Sequence, residues 1–474
     1  MRSLDMAVVG SGIGGSLIAA LHSDKDILLF EKDQNLGGCA SSFKRFGNYY
    51  NTGATTLVGY EEGHVVKKLF DTIGVEPNIS KSEIAIRVVQ KGKSIDRVQD
   101  FESFLEQIEQ SYPNRNNREF WTKIREIDKQ FWQLQKIYYA KYSLKNYLKT
   151  AGFISELLRV YGLDLFKSAD GFIKETLGDI SLEYKNFINA QLLITIQTTS
   201  RDISLLSLAL GLSYPFHDVY YVNGGMGSLI EDIVADIEVR KNEAITKIIR
   251  DGKEFILHSP HGEYRTKKLI LNSSIYQSSS LFEDAKIKKY YDSFSFSDQS
   301  AFVLYLTLQS SEKFLDHYQF IYDELLPNSI SNSFFVSFSK KEDEKLSQNG
   351  YSITISTHTK ALFWKTLSKE QYKQEKGKTQ EYIIAKFLEY FSTIKKEQIK
   401  RAFSATSLTF NRYIGRYNCG GKAIGFKNIT SLPSANTPFE GLYNVGDTVF
   451  AGQGWPGVAL GVEVLDRELR KIII

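Results

Sequence analysis

Cysteine is scarce: the 474 residues contain two, Cys39 and Cys419, 380 positions apart. That rules out a disulfide framework and makes a reducing compartment, hence a cytoplasmic location, the simplest expectation. Seven histidines are scattered without an H-E-x-x-H pair, so no metal site is expected. No apolar run approaches the ~20 residues a membrane-crossing helix needs. One of the longest uncharged stretches, between Lys185 and Arg201, is half polar. No signal-peptide pattern precedes the first apolar run. Excess charge is also missing: 59 Lys and Arg face 55 Asp and Glu, and a net +4 does not by itself suggest nucleic acid. Internal repeats and low-complexity linkers are absent, so parts of one domain are expected to be interleaved with another rather than strung in series.

What remains is an ordinary folded composition, 42% hydrophobic and 24% charged, long enough for two domains or three. Aromatics are abundant at 13%, with 27 Tyr and 31 Phe. That suits a large apolar cavity, and an aromatic core equally well.

The most informative stretch is Leu4 to Glu31. A short apolar run, Met6 to Val9, stops at Gly10; Gly10, Gly12 and Gly15 follow in the spacing G-x-G-x-x-G. Leu17, Ile18 and Leu21 recur at helical spacing, and a second apolar run, Ile27 to Phe30, ends on Glu31. This predicts strand, tight turn, helix, strand and a terminal carboxylate. Gly10 permits the turn, Gly12 lets a pyrophosphate approach the backbone, and Gly15 lets helix and sheet pack closely. The helix N-terminus, with Ile13 and Gly14 in its first turn, offers unpaired N–H groups to phosphate. Glu31 is placed to accept hydrogen bonds from a ribose diol and to repel a 2′-phosphate.

Farther along, Val65–Ile73 reads as a helix stopped by Gly74, Ile84–Val89 and Ser94–Val98 as strands, and Asp100 as a helix cap. From Arg118 to about Leu212 the pattern is helical nearly throughout, more helix than a nucleotide-binding fold uses, which predicts an inserted substrate domain. Within it, Lys141, Lys145 and Lys149 recur every four residues among Trp, Tyr, Phe and Leu. Such a basic, aromatic-rich helix can lie in a membrane interface, giving peripheral contact; the other reading is the solvated side of a core helix. Gly224, Gly225 and Gly227 precede an amphipathic helix to about Ile237. Ala244–Ile249, Glu254–His258 and Lys268–Asn272 then read as strands with a hairpin at Asp251-Gly252. Ala301–Leu308, Ser333–Phe338 and Ser352–Ser356 read as strands of a second sheet, and Lys369–Thr393 as a helix.

Three segments carry a resemblance. Glu31 to Ser42 reads E-K-x-x-x-L-G-G-x-x-x-S; Arg45 to Thr56 reads R-F-G-N-Y-Y-N-T-G-A-T-T; Gly441 to Gly457 reads G-L-Y-N-V-G-D-T-V-F-A-G-Q-G-W-P-G. Together they resemble the FAD-dependent phytoene desaturase, carotenoid isomerase and retinol saturase group of the amine oxidase superfamily. The departures are Asn51 where Asp is usual, Thr448 for Ser and Ala451 for Pro. The resemblance implies an α/β fold, with a Rossmann-type FAD-binding domain interleaved with a mixed-sheet substrate domain that carries a helical insertion. The expected pieces are 1–80, 216–275 and 409–474 for FAD, and 81–215 and 276–408 for substrate. It also implies cofactor contacts from Lys32, Gly37, Gly38 and Ser42 near the diphosphate and from Gly53, Ala54, Thr55 and Thr56 beside the flavin ring. Ile245 would give a backbone contact to adenine. Gly446 and Asp447 would hold the ribityl chain or the diphosphate loop. Gly454, Trp455, Pro456, Gly457 and Val458 would lie under the ring, on a helix N-terminus able to support negative charge there.

The implied activity is an FAD-dependent oxidoreductase acting on a long apolar polyene or isoprenoid, by desaturation or isomerisation. The electron acceptor is unknown and no catalytic residue is assigned. Two alternatives share the fingerprints: an amine or amino-acid oxidase, and a prenyl-binding carrier of the GDP-dissociation-inhibitor type. Monoamine oxidases attach FAD through a cysteine in the general region of Cys419; spacing favours an inert buried thiol here, and small apolar packing for Cys39. Arg412, Tyr413 and Arg416 lie on the approach to the final strand, as cofactor neighbours or as structural charge pairs.

Overall fold

Met6, Ala7 and Val8 are apolar in succession and fully buried, as a central parallel strand requires. In the computed structural model, which describes residues 1–134, 136–422 and 431–470, the strand Arg2–Val9 pairs in parallel with Ile27–Phe30 on one side and Gly262–Leu271 on the other. Val239–Arg240 extends this sheet beyond Ile27–Phe30, and Glu254–Ser259 and Lys247–Asp251 continue it antiparallel beyond Gly262–Leu271. Leu442–Asn444 joins in parallel along Leu269–Leu271. One sheet is thus assembled from the beginning, middle and end of the chain. The helices Ile13–Leu21 and Gly454–Leu469 pack against one another beside it.

A second sheet of seven strands runs in the order Ile399–Ala405, Ser300–Leu308, Tyr351–Thr359, Ser333–Phe338, His317–Ile321, Ile86–Gln90, Lys93–Arg97. Val219–Val222 pairs antiparallel with Thr56–Val58 on one side and Ile79–Lys81 on the other in a separate three-stranded sheet. The predicted helical stretch is present as Asn117–Trp132, Leu144–Tyr161, Ala169–Leu177, Leu182–Ile196 and Leu205–Ser213, but Lys141 precedes the helix that carries Lys145 and Lys149 and does not share their face. The result is the mixed α/β architecture read from the sequence.

Caps and stops follow local chemistry. The Asp100 carboxylate accepts from the Ser103 N–H, and Gly74 ends Val65–Ile73 in the left-handed region at φ 71°. Several boundaries differ. The helix expected to reach Ile237 ends at Ile233, the strand expected from Ala244 begins at Lys247, with Ala244 and Ile245 lining a cavity, the strand expected from Lys268 begins at Gly262, and the helix expected to reach Thr393 ends at Tyr390. The approach to the final strand is helical, Ser407–Ile414, stopped by Gly415 at φ 73°. Residues 423–430 and 471–474 of the expected C-terminal piece lie outside the described residues.

Candidate active site

The glycine turn is closed by a residue that carries no motif. A Cβ on Gly12 would fall 2.5 Å from Asn272 Nδ2, one on Gly14 would meet Val445, Gly446 and Asn272, and one on Gly15 would sit 2.1 Å from the Gly10 carbonyl oxygen. Asn272 stands at the end of the neighbouring parallel strand, donating from its backbone N–H to Val9 and from Nδ2 to Gly10. The glycines stand where strand end, helix and Asn272 converge, and a Cβ on Gly15 would meet backbone there while one on Gly12 would meet only a side-chain end. The helix beyond has Gly12 at its cap, no side chain on its first N–H groups and no acid in its first turn, an anion-receptive terminus.

Glu31 is buried at the tip of its strand. One carboxylate oxygen accepts from the Ser11 N–H at 3.0 Å and its hydroxyl at 2.6 Å, the other from the Asp33 N–H at 3.0 Å. A carboxylate has about four acceptor sites, so one remains for a ligand hydroxyl. Burial lowers the pKa of neighbouring Lys32, and the charges of Glu31 and Asp33 offset this in part. Gly37, at φ 105°, places its N–H on Ser11 Oγ, and a Cβ there would meet the Ala40 carbonyl at 2.5 Å. Gly37 and Gly38 line the same cavity.

Ser42 sits behind that wall. Its hydroxyl donates to Asn51 Oδ1 at 2.8 Å and accepts from the Gly227 N–H at 3.0 Å, while Asn51 Oδ1 also accepts from the Met226 N–H. Ser42 and Asn51 thus cap the helix Met226–Ile233, which Gly225 leaves without a cap of its own. Gly15 likewise serves packing behind the turn. The other residues expected at the cofactor line one cavity: Gly10, Gly12, Ile13, Gly14, Glu31, Lys32, Gly37, Gly38, Gly53 to Thr56, Ile245, Gly446, Asp447 and Gly454 to Val458.

On the C-terminal side Arg416 makes two 2.7 Å hydrogen bonds to Asp447 and donates from Nη2 to Cys39 Sγ at 3.1 Å. Burial alone would lower the Arg416 pKa; the charge and hydrogen bonds of Asp447 outweigh it and hold the guanidinium pKa well above its usual value. Both Asp447 oxygens accept from Arg416, so of the two roles expected for Asp447, fixing the loop fits this geometry. Cys419 is a neutral thiol, pushed up to about 12 by burial. The helix Gly454–Leu469 points a second uncapped N-terminus, free of acid in its first turn, at the cavity. Gln453 Oε1, Trp455 Nε1 and Ser274 Oγ, on residues of this wall, are buried without a hydrogen-bond partner among the described residues. Orphaned polar atoms beside glycine cradles and two open helix termini fit a large polar ligand such as a dinucleotide.

The cavity holds about 1740 Å³, beyond the ~300–1,000 Å³ of a usual single-ligand pocket. Away from the glycine loop its wall is mostly apolar, with Phe131, Trp132, Tyr139, Phe153, Leu157, Ile194, Leu206, Leu210 and Tyr214 from the helical insertion and Val303, Tyr305, Phe335 and Phe403 from the second sheet. Among the charged residues on this wall is a cluster that no motif signalled. His217 is held between Asp128 Oδ2 at 2.8 Å and Glu61 Oε1 at 2.5 Å, and Trp132 Nε1–H donates to Asp128 at 3.1 Å. Burial alone would lower the His217 pKa, but the two carboxylates raise it to about 10. Nearby His64 is pushed down to about 4, chiefly by burial.

The sign of the His217 shift sets a pH dependence. With the folded pKa above the unfolded one, its stabilisation is complete below about pH 6.5 and falls away as pH rises to about 10. The thermal midpoint of the wild type is expected to fall toward that of His217→Asn between pH 7 and 10. A gap between the two that stays constant across this range would contradict the clamp.

Residues 8–73 match the family model described as an NAD(P)-binding Rossmann-like domain. Prolycopene isomerase of Daucus carota is 21% identical over 495 residues, covering 97% of this chain and 78% of that protein. All-trans-retinol 13,14-reductase of Homo sapiens is 35% identical over 74 residues, 15% of this chain and 12% of that protein. Among solved structures, putrescine oxidase superposes with a TM-score of 0.63 at 13% identity, covering 99% of this chain and 98% of the other. The comparisons bear out the resemblance to the phytoene desaturase, carotenoid isomerase and retinol saturase group and the fold shared with amine oxidases.

Proposed function

We propose that this relative of the prolycopene isomerases is an FAD-dependent oxidoreductase or isomerase whose substrate is a long, apolar polyene or isoprenoid. The observation that carries this reading is the continuity of one cavity from the glycine turn to the aromatic wall of the helical insertion. When bound, the flavin would supply hydride or electron exchange at its ring. The chain's own residues would do the rest. Glu31 would accept from the ribose, the first-turn N–H groups of Ile13–Leu21 would receive the diphosphate, and the Gly454–Leu469 N-terminus would face the ring. Phe131, Phe153, Leu157 and Leu210 would exclude water and align the substrate chain.

The test is an absorbance spectrum of the purified protein, before and after incubation with FAD, followed by extraction of co-purifying lipid. A bound flavin and conversion of an apolar polyene are expected. No flavin after reconstitution would overturn the cofactor assignment. Peroxide release with amines, and none with polyenes, would move the chain to the amine oxidase reading.

A further inference from the structure

Of the fifteen large apolar side chains left most exposed among the described residues, eight fall between Tyr142 and Phe166. They are not scattered. The helix Leu144–Tyr161 is set into the protein by Asn146, Thr150, Phe153, Leu157 and Tyr161. At 3.6 residues per turn these occupy roughly a quarter of its circumference. The adjoining face, centred about 120° around the helix, is apolar as well. Leu144, Tyr147, Leu148, Ile154 and Leu158 share an arc of about 120°, and Leu144, Leu148 and Tyr147 are 77%, 65% and 53% exposed. Just past the helix Leu163 is 83% exposed. A soluble helix normally turns its polar side outward, so a second apolar face needs an occupant.

The arrangement around that face specifies the occupant. Tyr147 and Ile154, at one edge of the stripe, also line the cavity, so the exposed apolar surface is continuous with the cavity wall. Along the other edge run Lys145, Lys149 and Arg159, against a single acid, Glu156. An apolar stripe with a basic border matches a bilayer surface carrying anionic headgroups. A second copy of the chain fits less well, because a two-fold interface would bring each basic border against itself or against the like-charged end of its mate.

We infer that the outer face of Leu144–Tyr161 docks on an anionic lipid surface, and that the cavity draws its apolar ligand from that surface beside Tyr147 and Ile154. The second half of this statement rests on the substrate class proposed above; the docking itself does not.

The experiment is co-sedimentation of the full-length protein with phosphatidylcholine vesicles and with vesicles containing phosphatidylglycerol, at low and high salt. The variants are Leu144→Glu/Leu148→Glu and, separately, Lys145→Glu/Arg159→Glu; none of these positions lines the cavity. Wild type is expected to bind the anionic vesicles, less at high salt. The leucine variant should lose about tenfold or more in binding, while thermal midpoint, flavin content and turnover of detergent-solubilised substrate stay unchanged. The charge variant should lose only the preference for anionic lipid. Failure of wild type to bind anionic vesicles would overturn the inference, as would equal binding by the leucine variant. A concentration-dependent dimer abolished by Leu144→Glu/Leu148→Glu would overturn it in favour of a second copy. If vesicle binding holds and no apolar compound is bound or turned over, docking stands and the substrate class falls.

Discussion

Alanine at position 12 is expected to leave a folded protein that no longer retains a nucleotide. Gly12 has φ −61° and ψ 169°, an extended conformation open to any residue, so the backbone does not resist the change. The new methyl would fall 2.5 Å from Asn272 Nδ2, the end of a side chain whose bond to the Gly10 carbonyl is a long 3.3 Å. That amide can swing, and the sheet need not move. What is lost is the open concavity at the helix terminus, where a pyrophosphate would lie against bare backbone. A weakening of about 100-fold, or about 2.7 kcal/mol, is expected in FAD titrations, with a thermal midpoint near that of the wild-type apoprotein. Gly15→Ala should behave in the opposite way. Its methyl would stand 2.1 Å from the Gly10 carbonyl oxygen, a backbone atom in the turn, so the helix would have to lift off the strand. Loss of soluble, folded protein is expected, since a packed interior does not absorb such overlap. Recovery of Gly12→Ala with a full complement of flavin would contradict the assignment of this turn to the diphosphate.

The contrast between these glycines shows where sequence is legible. G-x-G-x-x-G and Glu31 could be read because each follows from backbone geometry over fewer than thirty consecutive residues. The strands at Ser300–Leu308 and Ser333–Phe338 were legible for the same reason, as short apolar runs between polar turns. Asn272, Asn51, Ser42 and the His217 clamp are different in kind. Asn272 is one polar residue at the end of an apolar strand, and its meaning comes from a turn 260 positions earlier that only parallel pairing brings beside it. Asn51 for Asp reads as a weakening of a motif. In the structure its amide oxygen takes the Met226 N–H and the Ser42 hydroxyl, the work of a helix cap, which needs an acceptor rather than a charge. His217, Asp128 and Glu61 come from a strand approach, a helix and a loop, and nothing in their spacing joins them. The same limit applies to the outer stripe of Leu144–Tyr161. Periodicity marks a helix with more apolar positions than one face holds, and burial alone separates the face that packs from the face that does not.

Removing the Arg416 side chain should be the most damaging change on the C-terminal wall. Arg416 reaches both Asp447, in the loop after the last strand of the first sheet, and Cys39, in the turn after Gly37 and Gly38. One guanidinium therefore joins two loops that border the glycine-turn end of the cavity from opposite ends of the chain. Its own side chain is 8% exposed and that of Asp447 27%. In Arg416→Met a largely buried carboxylate would lose its cation, and breaking such a pair from one side costs roughly 3–5 kcal/mol. A lower thermal midpoint and loss of flavin on gel filtration are both expected. Lysine should not restore them, because an ammonium cannot span both carboxylate oxygens and the Cys39 sulfur at once. Asp447→Asn should also be damaging, since the buried guanidinium then keeps its charge without a counterion. Arg416→Met/Asp447→Leu separates the pair from its surroundings: with neither charge left, stability should recover relative to Arg416→Met alone, giving a favourable coupling in the double-mutant cycle. Flavin retention should not recover with it, because the loop after Gly446 would still lack its tie to Cys39. Recovery of both would mean that the pair serves folding alone; wild-type stability and flavin content in Arg416→Met would mean that the loops are held by other contacts.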